Sequence, residues 1–350
     1  MSNNNHKRRN SLEFIVSMTV CPSDIDKVQQ HIAIAEPARN PLRNVLVTPL
    51  FLYNGSLDRV RRMSEQGVSV YFDSGGYYVQ IGRLKYEELY MPLLNAYKEN
   101  PWADVYTLPD HVPTSQDSPA EVEQKIRDTI TFSTLFFHEL PDELKPRAMP
   151  VVQGHTLEQV EQCLQAYIDL GVQRVGFGSF GTSGAKQEIN VATTSAVQLA
   201  KHVIDVAHAH GMKVHIFGIG TPALTAMLAG IGADSFDSSS WLKAAGFGQI
   251  FLPFMRAYNI SHNSTVSELQ RGITFEQFQQ WRELTRHQCK LCESAVELQE
   301  SKMHRAVHNL IALMETVDML NHGEYDLIRA IYESGSPRYR QEFEKWLQPV

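Results

Sequence analysis

Little in this sequence fixes its location or stiffens its fold from outside. Four cysteines in 350 residues, Cys21, Cys163, Cys289 and Cys292, are too few for a disulfide framework. No segment resembles a secretory signal, so the expected compartment is the cytoplasm. No apolar run approaches the length a membrane span requires, and no membrane is expected as a partner. There is no excess of positive charge either. Lys and Arg number 32 against 39 Asp and Glu, a net charge of −7, which argues mildly against binding nucleic acid by bulk charge and leaves room for a local basic groove. The first ten residues are polar, with Lys7, Arg8 and Arg9 clustered, and read as a disordered tail, 1–10.

What is present is ordinary globular material. A hydrophobic fraction of 43% over this length builds one barrel-sized core or two smaller ones. β-branched runs expected as strands fall at 13–17, 45–53, 68–73, 104–108, 148–153, 174–177, 213–218 and 234–237. Helix-period segments lie between them at 57–66, 86–99, 119–138, 157–170, 190–210 and 222–229. Ser118, Pro119 and Glu121 mark a helix start, Thr156 with Gln159 fits a capping box, and Gly171 and Gly211 close helices. Strands alternating with helices favour an α/β fold, a (β/α)8 barrel over residues 11–260, with a doubly wound open sheet as runner-up. Residues 261–350 read as a helical appendage.

Chemistry-bearing residues stand where predicted strands end, which is where α/β enzymes keep their sites. Phe72-Asp73-Ser74-Gly75-Gly76-Tyr77 and Ser235-Phe236-Asp237-Ser238-Ser239 each place a carboxylate there. One acid can attack while the other handles a proton, as in glycosyl transfer; taken singly, each Asp reads as a cap. Asp110, between Pro109 and Pro113, offers two acceptor oxygens to a purine edge, or belongs to a rigid turn. Gln153 offers both donor and acceptor. The loop from Gly176 through Gly178, Ser179 and Phe180 to Gly184 can hold a carbonyl oxygen or phosphate on its amides, but it is no nucleotide fingerprint. Tyr77 and Phe217 are candidate stacking rings, or core aromatics. His287, Cys289, Cys292 and His308 form a Cys2His2 set suited to structural zinc. His304 and His322 are alternative fourth ligands, and two reduced helix cysteines the competing reading.

In order, from about residue 45 to 314, these segments resemble the tRNA-guanine transglycosylase family: Asp-Ser-Gly-Gly-aromatic, Val-Gln-Gly, Gly-Phe-Gly-Ser, Gly-Ile-Gly-Thr-Pro and Phe-Asp-Ser. The resemblance implies a modified (β/α)8 TIM barrel with a C-terminal helical zinc-binding subdomain, structural zinc and no redox cofactor. It implies base exchange through a covalent intermediate, with Asp237 attacking C1′ and Asp73 as general acid/base. Asp110, Gln153 and the Gly178 backbone would read the base, Tyr77 and Phe217 would stack on it, and Ser74, Gly75, Gly76, Ser179 and Gly218 would complete the pocket. Val112 and the Phe180 loop would shape the end that meets the 7-substituent.

The chain departs from the family pattern in its metal motif, where His287 takes a cysteine position and the spacing to His308 is short. It departs again after Asp237, where Ser238-Ser239-Ser240-Trp241-Leu242-Lys243 replaces an arginine-rich anticodon-reading segment. No RNA-binding domain is expected after the zinc region. These departures resemble the DNA-guanine transglycosylase branch, so insertion of a 7-deazaguanine such as 7-cyano-7-deazaguanine into DNA is expected. The alternatives are exchange in tRNA, and a catalytically silent member that binds nucleic acid or a partner. A partner protein supplying DNA affinity is expected from the negative charge, and a homodimer from the resemblance.

Overall fold

The computed structural model describes residues 11–179, 182–183, 189–190, 192–260, 272–335 and 337–347. The expected tail and the loop residues Phe180, Gly181 and Gly184 lie outside the described residues.

Strand and helix alternate through β1 (Glu13–Ser17), α1 (Pro22–Ala35), β2 (Asn44–Val47), α2 (Ser56–Glu65), β3 (Ser69–Phe72), α3 (Gly76–Gln80), α4 (Tyr86–Glu99), β4 (Val105–Thr107), α5 (Pro119–Glu139), β5 (Ala148–Met149), β6 (Val151–Val152), α6 (Leu157–Asp169) and β7 (Arg174–Phe177). A two-stranded hairpin, β8 (Thr182–Ser183) and β9 (Ile189–Asn190), follows. The barrel then continues with α7 (Thr194–Ala209), β10 (Lys213–Ile216), α8 (Pro222–Ile231) and β11 (Ser235–Ser238).

All pairings in the main sheet are parallel, and β1 pairs with both β2 and β11. The sheet runs β5-β4-β3-β2-β1-β11-β10-β7-β6. Its two ends, β5 and β6, are halves of one strand parted by Pro150. Proline has no N–H to give the ladder, but its carbonyl accepts from Gly176 N–H at 2.8 Å. The eight staves therefore close, and the open-sheet alternative is excluded.

Register explains where the site lies. Side chains alternate in and out along a strand, and Ile15, Leu46, Tyr71, Val105 and Met149 fill the barrel interior with Phe217 packed against them. The other buried apolar side chains form the larger core between strands and helices. Ile15 is paired with Asp237, and Ser17 with Leu46. Two residues beyond each inward apolar side chain the same row continues as Ser17, Thr48 and Asp73, at the strands' C-terminal end.

Helix boundaries follow local chemistry. At α5 a capping box forms: Glu121 N–H donates to Ser118 Oγ at 3.4 Å and Ser118 N–H to Glu121 Oε2 at 2.7 Å. At α6 Thr156 accepts from Gln159 N–H, but the Gln159 side chain turns to His155 N–H at 2.8 Å, so the expected reciprocal box is displaced by one residue. Strand expectation overran at 45–53, because Pro49 opens a 3-10 turn over Pro49–Phe51. It overran again at 213–218, where β10 ends at Ile216. The helix expected from 190 begins at Thr194, capped by Thr193. Helix α1, with Pro22 in its first turn, had no expectation.

After β11 come α9 (Ser240–Gly246), the antiparallel pair β12 (Gln249–Ile250) and β13 (Tyr258–Asn259), then α10 (Phe275–Thr285), α11 (Ala295–Glu300), α12 (Lys302–Asn321), α13 (Tyr325–Glu333) and α14 (Pro337–Trp346). Helix α12 is buried along nearly its whole length and packs on α9, α1, α8 and β1. The helical C-terminal region is thus part of the barrel wall: α9 is one short helix, and α12 covers the face it leaves. Asn309 locks this seam, donating to the Trp241 and Gln249 carbonyls and accepting from Phe251 N–H. Among the described residues no helix is long and apolar enough to cross a membrane.

Candidate active site

A cavity of about 400 Å³ opens at the C-terminal end of the strands and is lined by Asp73, Asp110, Gln153 and Asp237 among others. Four polar side chains from four different strand ends thus meet in one space.

Asp73 ends β3. Its Oδ2 accepts from Thr48 Oγ1 at 2.9 Å and Gly75 N–H at 3.2 Å. Burial and the neighbouring Asp110 charge outweigh these bonds and push its carboxyl up to about 7, a value suited to giving and taking protons near neutrality.

Asp237 lies within β11 and is 5% exposed. Its Oδ1 accepts from Gly218 N–H at 2.6 Å, and its Oδ2 from the Ser17 hydroxyl. Gly218 turns its amide there from a φ of +63°, a conformation that favours glycine.

Asp110 and Gln153 form one buried unit. Asp110 Oδ1 accepts from Ser74 Oγ at 2.9 Å and Oδ2 from Gln153 Nε2 at 2.7 Å. Ser179 Oγ donates to Gln153 Oε1 at 2.6 Å and accepts from Gly154 N–H at 2.7 Å. Burial raises the Asp110 carboxyl above its ordinary value, against the bonds from Gln153 and Ser74. A carboxylate retains further lone-pair sites after two bonds, so Asp110 can still meet a ligand edge.

The expected pocket residues divide into two groups. Gly76, Tyr77, Asp110, Gln153, Gly178, Phe217 and Gly218 line the cavity, as does Val112. Ser74, Gly75 and Ser179 stand behind it and orient those that do. In this arrangement the Gly178 N–H donates to Val152 O at 3.3 Å at the end of the barrel ladder. Gly178 serves by having no side chain, since a Cβ there would lie 2.5 Å from Gln153 Nε2. Ser17, Thr48 and His215 were missed. The available signal was strand alternation, which carries the inward rows of Ile15 and Leu46 on to Ser17 and Thr48.

Away from the cavity, His287, Cys289, Cys292 and His308 are buried with one ligand atom from each within 4.8 Å of the others. His287 Nε2 and His308 Nδ1 face inward, 3.1 Å apart. The opposite nitrogens bond Glu315 Oε2 at 2.5 Å and Phe251 O at 2.7 Å. Such outer partners fix the tautomer a metal ligand needs, and two imidazoles with two thiols suit a tetrahedral ion. The set could hold a metal. His304 and His322 are not in it; His322 Nε2 lies 3.1 Å from Arg39. Nor are the cysteines helical in the expected sense, since Cys289 precedes a 3-10 turn over Lys290–Cys292.

Together these features define a (β/α)8-barrel protein with three carboxylates, Asp73, Asp110 and Asp237, lining the cavity at its mouth and a His/Cys cluster beside the barrel. The family model described as queuine tRNA-ribosyltransferase matches residues 52–320, and the chain belongs to that family. A tRNA-guanine(15) transglycosylase from Aeropyrum pernix is 26% identical over 178 residues, 51% of this chain and 33% of the relative. The chain therefore spans about a third of the curated relative it matches.

Proposed function

We propose that the protein exchanges guanine in a nucleic acid for another guanine-like base through a covalent glycosyl-aspartate. The observation that carries this reading is the convergence of Asp73 and Asp237 on the cavity into which Asp110 and Gln153 also face. Asp237 would attack C1′ and displace guanine, while Asp73 gives its proton to the departing base and takes one from the incoming base, a double displacement that retains configuration. Asp110 and Gln153 would read the purine edge, with Tyr77 and Phe217 against its faces.

For the finer substrate we favour DNA and a 7-deazaguanine. In support, the segment after Asp237 is a short helix whose one cation is Lys243, without the arginine-rich stretch expected of an anticodon reader. The target guanosine would have to leave its stack to reach the barrel mouth. The printed activity of the Aeropyrum relative favours tRNA instead, and that is the second reading. The net charge of −7 supports a partner protein that supplies nucleic-acid affinity. A cytoplasmic location and a homodimer are part of the same proposal, as is zinc in the His287, Cys289, Cys292 and His308 cluster, where it would brace the fold.

The test is incubation of the protein with labelled guanine and, separately, bulk tRNA, duplex DNA and single-stranded DNA. Label in DNA alone supports the first reading, and label in tRNA alone supports the second. Label in neither, with Asp237→Asn behaving as wild type in covalent trapping, would refute base exchange.

A further inference from the structure

Next to Asp237 stands a histidine that the scheme above does not use. His215, in β10, is 2% exposed. Its Nε2 lies 3.4 Å from Asp237 Oδ1 and makes no hydrogen bond in this resting arrangement. Its Nδ1 lies 2.8 Å from Ser235 Oγ. The Phe217 ring meets it edge-on with centroids 4.6 Å apart, and Tyr71 lies at 5.9 Å. The imidazole is therefore held in place, with one nitrogen aimed at the proposed nucleophile. Catalytic hydrogen bonds that are long in a resting site tighten when substrate binds.

The tautomer follows from charge. With Asp237 ionised, a lone pair on Nε2 would face a negative oxygen, whereas an N–H there would be attracted to it. Nδ1 is then the acceptor and the Ser235 hydroxyl its donor. Oδ1 of Asp237 thus has one bonded donor, Gly218 N–H, and a second on a fixed group aimed at it from 3.4 Å, His215 Nε2–H. Oδ2 has the Ser17 hydroxyl, which can rotate away, so Oδ2 is the oxygen free to bond C1′.

We infer that His215 is a positioning residue that anchors Oδ1 and stabilises Asp237 as a leaving group in the second half of the exchange; this rests on the base-exchange reading. In the first half an Oδ2 electron pair forms the O–C1′ bond while the C1′–N9 bond breaks. That pair passes to the departing base, which takes the Asp73 proton. The resulting ester is neutral. In the second half the Asp73 carboxylate takes the N9 proton of the incoming base, and the N9 pair bonds C1′. The C1′–Oδ2 pair then returns to Asp237. The charge that reappears is shared with Oδ1, where Nε2–H and Gly218 N–H meet it. A donor aimed at developing charge acts on the step that creates the charge, so its loss slows the second half more than the first.

The experiment measures base-exchange turnover, KM for the incoming base and the steady-state fraction of covalent enzyme–nucleic acid on denaturing gels. It compares wild type, His215→Phe, His215→Gln and Ser235→Ala on whichever nucleic acid wild type accepts. Expected for His215→Phe is turnover reduced at least about tenfold, KM within about twofold, and a raised covalent fraction. His215→Gln, which keeps an N–H donor, should recover part of the rate, and Ser235→Ala should shift both readouts the same way by less. If His215→Phe does not fold, as judged by its melting temperature, the other two variants decide. Unchanged turnover and unchanged covalent fraction in the folded variants overturn the inference while leaving base exchange standing. Parallel loss of turnover and of the covalent species makes His215 structural and also overturns it. A wild type that exchanges no base in DNA or tRNA overturns both.

Discussion

Thr48 and Asp73 are joined across two neighbouring strand ends, the threonine Oγ1 donating to the carboxylate Oδ2 at 2.9 Å. This bond favours the ionised carboxylate, and burial together with Asp110 opposes it. In the proposed scheme release of guanine requires protonated Asp73, so its single-turnover rate should fall above a pH of about 7. Thr48→Val removes a bond that lowers the pKa and should move that limb upward by roughly 0.5–1 pH unit. A rapid-quench pH profile of the two proteins checks this; a downward move would contradict the assignment of Asp73 as the acid.

Asp73→Asn should abolish exchange and stabilise the fold. The folded carboxyl at about 7 lies above its ordinary 3.8, so the unfolded chain ionises first and the wild type loses stability as pH rises between those values. An amide escapes that loss. The gain should grow from a pH of about 4 and level off above about 7, with roughly 4 kcal/mol as the upper bound set by linkage. Urea melts at a pH of about 5 and about 8 would show it.

Gly178→Ala places a Cβ 2.5 Å from Gln153 Nε2, and Gln153 holds Asp110 Oδ2. The variant should raise KM for the base about tenfold or more, the cost of about 1.4 kcal/mol of lost recognition. Its melting temperature should also fall by a few degrees, because the displaced amide leaves Asp110 and Ser179 without a buried partner. Steady-state kinetics alongside thermal melts separate the two effects.

Removing the metal should destabilise the protein without altering the cavity directly. The four ligand residues are buried, and stripping an ion from such a set leaves polar groups without their partner. A strong chelator should lower the melting temperature by about 5 °C or more, and elemental analysis should return one zinc per chain. His287→Ala should do the same. A chain free of metal with an unchanged melt would remove the proposal.

Much of this architecture could be read from residue order. The strand runs around Ile15, Val70 and Val175 are short and β-branched, and their neighbours at the strand ends are the acids and amides that meet in the cavity. The His/Cys cluster was equally legible, because its spacing and donor types are themselves the signal. What escaped were residues whose role depends on register. Ser17, Thr48 and His215 are unremarkable in sequence; they matter because strands β1, β2 and β10 bring them beside a carboxylate from another stave. Closure itself was favoured by the strand count but not fixed by it, since periodicity is the same in a barrel and in an open sheet.

Leu12 and Asn321 exchange two hydrogen bonds, Leu12 N–H to Asn321 Oδ1 at 3.0 Å and Asn321 Nδ2 to Leu12 O at 2.8 Å, across 309 positions. With α12 packed on β1 and α1, the first stave is covered by a helix that the ribosome makes after every stave of the barrel. Contacts of such separation are slow to form, and domains fold as units during synthesis. The nascent barrel therefore carries an unsealed seam between β1 and α8 until about residue 321 has emerged. That interval, rather than any weakness in the finished wall, is when the chain is most exposed to misassembly and to chaperones.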